Sequence, residues 1–304
     1  MNKKYLISIV GATAIGKTAL SIALAKYFNT EIISSDSRQF YKEMNIGTAV
    51  PNEEELHQVP HHFIQNRSIF EDYSVGDFER DALKKLDELY IKHNIVIMVG
   101  GSGLYVDAVL KGLDDFPDID SKIRKDLKLD LAKKGIEYLQ SQLFNLDPES
   151  YKKIDINNHQ RLIRALEICL GTGKTYTSFL NKKKNKRNFI PIKIGITAPR
   201  EIIYNRINQR VDIMIKHGLI KEANQLYPHK HLNALQTVGY KELFKYFDKE
   251  FTMDFSIQEI KKNTRRFAKR QKTWFKKDLE IKWFDYQENV QEVFKYINNY
   301  MKLN

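Results

Sequence analysis

Short apolar runs that alternate with amphipathic stretches mark the beginning of the chain. Tyr5–Val10 is an apolar run, a glycine-containing segment follows it, and Lys17–Tyr27 has the spacing of an amphipathic helix. Further apolar runs predict strands at 31–34, 95–99 and 193–197. Because strands that alternate with helices form parallel sheets with helices on both faces, the pattern predicts an α/β fold.

A different pattern begins near Asp114–Asp120, where the alternation stops. The residues that follow show helical spacing and no convincing strand, until a basic stretch at Lys182–Arg187 closes this region. We therefore predict a core of residues 1–117 and 189–304, interrupted by a helical insertion domain of residues 118–188.

The composition is that of a globular protein without a membrane segment. The chain has 304 residues, of which 42% are hydrophobic, enough for a buried core. No stretch approaches the roughly 20 consecutive apolar residues that span a bilayer. The single cysteine, Cys169, excludes an internal disulfide and a multi-cysteine zinc site. We therefore expect a cytoplasmic protein.

The net charge of +12 is unevenly distributed. Residues 1–120 hold 12 Lys and Arg against 18 Asp and Glu, while the remainder holds 38 against 20, so the two parts carry −6 and +18. A basic helix is predicted at Ser256–Lys277, and within it Lys261–Lys277 has nine Lys and Arg and no acidic residue. Like charges at helical spacing repel one another, so this asymmetry indicates a polyanionic partner such as nucleic acid. A solvated lysine-rich surface is the alternative.

The segment after the first predicted strand carries a phosphate-binding motif. Its sequence, GATAIGKT, fits G-x-x-x-x-G-K-T between a strand and a helix, which predicts a P-loop NTPase-like parallel sheet. In such a loop the backbone N–H groups and the helix dipole attract phosphates, the lysine adds positive charge, and the threonine can ligate Mg²⁺. The predicted diphosphate-binding residues are Gly11, Ala12, Thr13, Ala14, Ile15, Gly16, Lys17 and Thr18, with Thr18 also as the metal ligand. The similar GTGKT at 171–175 lacks the first glycine and follows a helix, so we interpret it as a helix C-cap and turn.

The neighbours of this loop decide which phosphate compound it binds, because kinases, motor ATPases and GTPases share the motif. The apolar run 95–99 ends in Gly100–Gly103 instead of the aspartate that holds Mg²⁺ in many ATPases, which disfavours NTP hydrolysis. Asp36 follows the second predicted strand and should lie beside the loop, where it is a candidate general base. Its alternative role is to cap the N-terminus of a following helix.

Eight segments in this order resemble the tRNA dimethylallyltransferase (tRNA isopentenyltransferase) family over nearly the whole chain. They are GATAIGKT, DSRQFY at 36–41, IGTAVP at 46–51, VPHHF at 59–63, GGSGLY at 100–105, NHQRLIRALEI at 158–168, QTVGYKE at 236–242 and RRFAKRQKTWF at 265–275. The resemblance implies transfer of the prenyl group of dimethylallyl diphosphate to N6 of the adenosine 3′ of a tRNA anticodon, with Mg²⁺ and without ATP. Departures are small: Ala12 stands where the family usually has proline, and Ser102 where it has threonine.

The resemblance also implies residue roles at matching positions. Asp36 would accept the N6 proton, Thr18 would bind the metal, and Lys17 with the loop amides would hold the diphosphate. Two arginines resemble diphosphate-facing arginines of the family, so the implied catalytic set is Asp36, Lys17, Thr18, Arg206 and Arg210.

The resemblance further implies contacts with the tRNA anticodon stem-loop. The matching residues are Asp36, Ser37, Arg38, Gln39, Ser102, Arg124, Gln160, Arg161, Leu162, Ile163, Arg164, Gln236, Gly239, Tyr240, Lys241, Lys269, Arg270, Gln271 and Trp274. Among them, Ser37, Arg38 and Gln39 would help to position the flipped base, and the insertion domain would bind the anticodon loop. We expect a monomer, and we assign no chemistry to His61 and His62.

Two other functions fit parts of the pattern. An adenylate isopentenyltransferase would prenylate free AMP or ADP, a reaction that needs neither the helical insertion nor the basic segment 265–275. A P-loop small-molecule kinase would bind ATP, and the missing aspartate after Val99 disfavours it.

Overall fold

The structure, a computed structural model, describes residues 3–180 and 186–303. Most of the predicted basic stretch Lys182–Arg187 lies outside the described residues. The described residues form two compact units, the first from the residues up to 110 and from 187 onwards, and the second from residues 111–186. The sequence pattern places these boundaries at 117/118 and 188/189.

The first unit contains a six-stranded parallel sheet with the strand order β3-β2-β4-β1-β5-β6. The strands are β1 (Tyr5–Gly11), β2 (Ile32–Ser34), β3 (His61–His62), β4 (Ile95–Val99), β5 (Ile190–Thr197) and β6 (Lys282–Asp285). This confirms the predicted P-loop NTPase-like architecture. The sequence pattern did not predict β3 and β6, which have two and four residues and lie at the two edges of the sheet.

Nine helices begin in the described part of the first unit. They are α1 (Lys17–Tyr27), α2 (Glu53–Gln58), α3 (Val75–Leu89), α4 (Gly103–Lys111), α9 (Arg200–Lys216), α10 (Leu219–Leu226), α11 (Tyr240–Phe247), α12 (Met253–Phe275) and α13 (Val290–Leu303). Short 3-10 turns occur at Tyr227–His229 and Asn233–Leu235. The predicted basic helix is α12, whose N-terminus is capped by the Thr252 side chain, so it begins before the predicted Ser256.

Helices cover both faces of the sheet, which explains why its central strands are apolar at successive positions. On β1, Ile7 and Ile9 pack in one cluster with side chains of α1, α9 and α13. Leu6 and Val10 pack on the opposite face with side chains of α3 and α4. Burial on both faces fixes the carboxyl ends of β1, β2 and β4, and the candidate site lies at these ends.

The second unit is helical in its described part, as the sequence pattern predicts. It contains α5 (Ser121–Lys134), α6 (Ile136–Leu146), α7 (Pro148–Lys153), α8 (His159–Thr172) and a 3-10 turn at Tyr176–Phe179. Leucines of α5, α6 and α8 form its core. Gly173 follows α8 with φ 67°, so the GTGKT segment is a helix end, as predicted. Within residues 3–180 and 186–303, no helix has the length and apolar character needed to cross a membrane.

Candidate active site

The P-loop, residues Gly11–Thr18, folds around the ammonium group of its own lysine. Lys17 Nζ donates hydrogen bonds to the carbonyl oxygens of Gly11 (3.1 Å) and Ala12 (2.8 Å). Gly11 has φ 147°, and a Cβ at this position would lie 2.7 Å from the carbonyl oxygen of Ile196, so β5 leaves room only for glycine. A loop of this shape at the start of a helix is suited to bind anions.

Burial disfavours the charged form of Lys17 more strongly than the Asp36 carboxylate favours it. Burial lowers the pKa of Lys17 from 10.5 to about 8. The carboxylate of Asp36 raises this pKa and the guanidinium of Arg210 lowers it, and both effects are smaller than that of burial. An anion bound beside Lys17 would favour its charged form.

Helix α9 brings two arginines to the same loop. Arg206 Nη1 donates to the carbonyl oxygen of Ile15 (3.4 Å), and Arg210 Nη1 donates to Thr13 Oγ1 (3.3 Å). The two arginines are four residues apart and therefore lie on one face of the helix. Burial lowers the pKa of Arg210, while the Asp36 carboxylate opposes this effect.

A cavity of about 450 Å³, called the smaller cavity below, opens beside the P-loop. It brings together the predicted catalytic residues Lys17, Thr18, Asp36, Arg206 and Arg210. Glu55 also lines it, so three cationic groups face two carboxylates. The excess of positive charge suits a compact polyanion.

A second cavity of about 580 Å³, the larger cavity, is contiguous with the smaller one because both are lined by Thr13, Asp36, Thr48, Ala49 and Arg210. Its other lining residues include apolar side chains of α9, α10 and α12, namely Ile207, Val211, Met214, Leu219 and Ile260. The predicted tRNA contacts that line it include Ser37, Arg38, Ser102, Gln236, Gly239, Lys241, Arg270, Gln271 and Trp274. Asp36 therefore lies where a charged compartment meets a wider, mostly apolar one.

Asp36 lies in a turn directly after β2. Its Oδ1 accepts a hydrogen bond from the backbone N–H of Arg38 (3.1 Å), and residues 37–40 form a turn and not a helix. The alternative role of Asp36 as a helix N-cap is therefore wrong. A short turn of this kind holds the carboxylate near the carboxyl end of β2.

The residues after Asp36 contact two neighbouring segments. Ser37 bonds to Ser102 Oγ through its backbone N–H (3.1 Å) and its hydroxyl (3.0 Å), which joins the turn after β2 to the loop after β4. Arg38 Nη1 donates to the carbonyl oxygens of Asn233 (3.1 Å) and Ala234 (2.9 Å). Both side chains thus line the larger cavity while bonded to protein groups.

The segment Ile46–Pro51 contributes to both cavities and is held by a side chain that sequence reasoning missed. Glu222 on α10 accepts hydrogen bonds from three successive backbone N–H groups, Asn45–Gly47, at 3.1, 2.8 and 3.0 Å. It also accepts one from the hydroxyl of Tyr240 (2.7 Å). From the other side, Gln39 Nε2 donates to two carbonyl oxygens of the segment (3.3 and 2.9 Å). A glutamate on an amphipathic helix carries no sequence signal of such partners.

Four of the predicted tRNA contacts have buried side chains, and three of these side chains belong to hydrophobic clusters. Leu162 is 0% and Ile163 7% exposed in the core of the second unit, and Tyr240 is 0% exposed among helices α9 to α12. Because packing within the protein occupies these three side chains, the predicted contacts of these residues with tRNA are left to their backbone groups. Their segments reach the surface through neighbouring residues.

The other predicted tRNA contacts of the second unit form two groups. Gln160 and Arg161 are exposed at the start of α8. Arg124 donates twice to Glu167 (3.1 and 2.8 Å), and Arg164 donates to the same carboxylate (2.9 Å). Burial raises the pKa of Glu167, but the two guanidinium groups outweigh burial and hold it below its usual value. This ion-pair cluster fixes the orientation of both arginines.

The predicted contacts on α12 differ in exposure. Lys269 and Arg270 are exposed, and Arg270 lines the larger cavity. Trp274 is 39% exposed, and its Nε1 donates to Asp107 (2.8 Å). Gln271 is buried and contacts backbone groups of the first unit.

Comparison with known proteins identifies the family. Residues 39–278 match the family described as IPP transferase. A Flavobacterium johnsoniae protein named tRNA dimethylallyltransferase is 62% identical, and the match covers 98% of this chain and 99% of that protein. Bacteroides fragilis tRNA dimethylallyltransferase 1 is 47% identical over 99% of this chain and 100% of its own length.

Solved structures agree with the sequence matches. The tRNA isopentenylpyrophosphate transferase of Bacillus halodurans is 38% identical with a TM-score of 0.73, and the match covers 99% of this chain and 97% of that one. A eukaryotic dimethylallyltransferase acting on tRNA is 27% identical with a TM-score of 0.84, over 99% of this chain and 80% of that one. The chain therefore belongs to the IPP transferase family.

Proposed function

We propose that this chain is a tRNA dimethylallyltransferase, which transfers the dimethylallyl group of dimethylallyl diphosphate to N6 of the adenosine 3′ of the anticodon and releases pyrophosphate. The observation that carries this proposal is the position of Asp36 where two cavities meet, one lined by the P-loop cations and one open toward α12. Three relatives whose matches cover 97% or 98% of this chain are named tRNA dimethylallyltransferase, which supports the proposal.

The smaller cavity holds the diphosphate in this proposal. The P-loop amides, Lys17, Arg206 and Arg210 surround the departing pyrophosphate. Allylic diphosphates ionise readily, because positive charge spreads over the allyl group, so stabilisation of the leaving anion is the main catalytic task. Cationic groups held in place before the reaction meet this need without reorganisation.

Mg²⁺ fits the oxygen groups of the smaller cavity. The Thr18 hydroxyl and the Asp36 carboxylate both line it, and no cluster of three or more His, Cys, Asp or Glu side chains suited to a metal occurs among the described residues. In P-loop proteins the Ser or Thr that follows the lysine helps to hold Mg²⁺ beside the substrate phosphates, so Thr18 is the residue that would hold it. The bound ion would add positive charge opposite the leaving group.

The larger cavity receives the adenine. An exocyclic adenine amine is a weak nucleophile, because its lone pair is delocalised into the ring. Asp36 orients this amine and takes its proton as the bond from N6 to C1 of the allyl group forms and the bond from C1 to the diphosphate oxygen breaks. A base stacked in the anticodon loop cannot enter a cavity, so the target nucleotide is extruded.

The acceptor is a single-stranded loop of tRNA bound along basic surfaces. Exposed cations on α12 and α8, including Lys269, Arg270 and Arg161, contact its phosphates. We also propose that the protein is cytoplasmic and acts as a monomer. Light scattering with and without tRNA tests the monomeric state.

A product assay tests the proposed function. The protein is incubated with Mg²⁺ and dimethylallyl diphosphate plus unmodified tRNA or AMP, and separately with ATP and candidate acceptors, and products are identified by mass. We expect a gain of one dimethylallyl group on tRNA only. Transfer to AMP alone, or consumption of ATP without prenyl transfer, contradicts the proposal.

A further inference from the structure

One buried side chain, Gln271, ties α12 to the P-loop. Gln271 Oε1 accepts a hydrogen bond from the backbone N–H of Thr13 (2.9 Å), and its Nε2 donates to the carbonyl oxygen of Gly101 (3.0 Å). The side chain is 6% exposed. Both ends of the amide are therefore used, and a single residue joins α12 to the loops after β1 and β4.

The contacts around Gln271 are close. A Cβ at Gly101 would collide with the Gln271 amide nitrogen, and a Cβ at Gly103 would collide with the ring of Trp274. One and a half turns earlier, Arg265 Nη1 donates to Asn208 Oδ1 on α9 (2.7 Å). Helix α9 also carries Arg206 and Arg210, the arginines of the smaller cavity. Helix α12 is therefore hydrogen-bonded to both segments that supply cations to this cavity, the P-loop and α9.

The same helix exposes the cations that meet the acceptor in the proposed function. Lys269 and Arg270 immediately precede Gln271 and are exposed. Three successive residues of the helix therefore comprise two exposed cations and one buried amide that is hydrogen-bonded to the P-loop. A change in the position of α12 cannot leave the Thr13 and Gly101 contacts unchanged.

We propose that Gln271 is a positioning residue that couples the binding sites of the two substrates. When tRNA fixes α12, Gln271 fixes the backbone at Thr13 and Gly101, and the P-loop binds diphosphate more tightly. This inference rests on the proposed function, because it requires tRNA as the partner of α12. Coupling between two binding sites is reciprocal, so diphosphate strengthens tRNA binding by the same factor.

The coupling is measured with inorganic pyrophosphate, which is the leaving group and does not react. Its dissociation constant is determined by calorimetry at constant Mg²⁺, with and without saturating unmodified tRNA. For the wild type we expect tRNA to lower the constant about fivefold or more. The ratio of the constant without tRNA to the constant with tRNA is then about five or more. Gln271→Met, which keeps the side-chain length and removes both hydrogen bonds, should bring the ratio to within about twofold of one.

Gln258→Met is the matched control, because Gln258 is exposed on the same helix. This variant should keep the wild-type ratio. Purely structural damage to α12 would instead weaken tRNA binding and the ratio together.

Gln271→Glu is a second variant that keeps the acceptor for Thr13. Its ionised carboxylate cannot donate to Gly101 and would repel that carbonyl oxygen, so coupling should be lost at pH 8. As the pH falls toward about 5.5, protonation of the buried carboxyl restores a donor, and the ratio relative to wild type should recover. This variant tests the inference even where Gln271→Met does not fold.

Several results would overturn the inference. It fails if the wild type prenylates tRNA but shows a ratio of one, if Gln271→Met keeps the wild-type ratio, or if Gln271→Glu keeps that ratio at a pH at which its carboxyl is ionised. These outcomes leave the proposed function intact, because transfer still occurs. If the wild type does not prenylate tRNA in the same preparation, the proposed function and the inference fail together.

Discussion

Lys17 should take up a proton when dimethylallyl diphosphate binds, and binding should weaken above about pH 8. Burial lowers the pKa of Lys17 to about 8, although the Asp36 carboxylate partly opposes this. About half of the ligand-free molecules therefore have a neutral Lys17 at pH 8. A diphosphate beside the amine favours the ammonium form and raises its pKa in the complex.

The size of the effect follows from the pKa of Lys17 in the free protein. If the complex keeps Lys17 charged, the free protein must take up about half a proton per diphosphate at pH 8. The apparent affinity then falls about tenfold between pH 7 and pH 9, as the charged fraction of free protein decreases. Phosphate groups lose their last proton near pH 6, so the ligand itself does not titrate in this window.

Calorimetry measures both quantities. Dimethylallyl diphosphate is titrated without acceptor at constant Mg²⁺ in HEPES and in Tris, whose ionisation enthalpies differ, so proton uptake appears as a difference in observed heat. Lys17→Arg is the control, because a guanidinium stays charged throughout and should remove the proton uptake. Equal heats in the two buffers at pH 8, or an affinity unchanged from pH 7 to pH 9, would show that Lys17 is already charged in the free protein.

Three further predictions concern the base, the tRNA surface and the segment between the cavities. Asp36→Ala should reduce single-turnover transfer about 10²-fold or more with tRNA affinity little changed, and a near-normal rate would exclude it as the base. Replacing Lys269 and Arg270 by Ala should weaken tRNA binding and flatten its dependence on salt, whereas an unchanged slope would mean that these cations do not meet phosphates. Glu222→Ala should lower the free energy of unfolding in urea by about 2 kcal/mol or more, because three N–H groups lose a charged acceptor, and Tyr240→Phe by about 1 kcal/mol. An equal cost for both variants would contradict the assignment of most of this energy to the carboxylate.

The sequence predicted the elements whose patterns are long enough to be distinctive. The bounds of α1 and β4 match the predicted Lys17–Tyr27 and Ile95–Val99, because one begins at a phosphate-binding motif and the other is buried on both faces. The strand His61–His62 could not be predicted, since two residues show no alternation. Its place in the sheet comes from pairing with β2.

Sequence motifs located the candidate site along the chain but did not determine which side chains face it. In α8, Arg161 is exposed and the next residue, Leu162, is buried, because helical phase places neighbours on different faces. Gln271 belongs to the basic segment that resembles tRNA-binding sequences, yet its amide contacts the P-loop. Glu222 lies outside every motif, and only the fold brings it to the N–H groups of Asn45–Gly47.

The glycines after β4 account both for the missing aspartate at the end of this strand and for the close approach of α12. A side chain at Gly100, directly after the strand, would collide with Ser35, so no metal-binding carboxylate fits there. One and three residues later, Gly101 and Gly103 leave the space that Gln271 and Trp274 of α12 occupy. The same short segment therefore excludes the aspartate typical of ATPases and admits α12, the helix that carries the exposed cations Lys269 and Arg270.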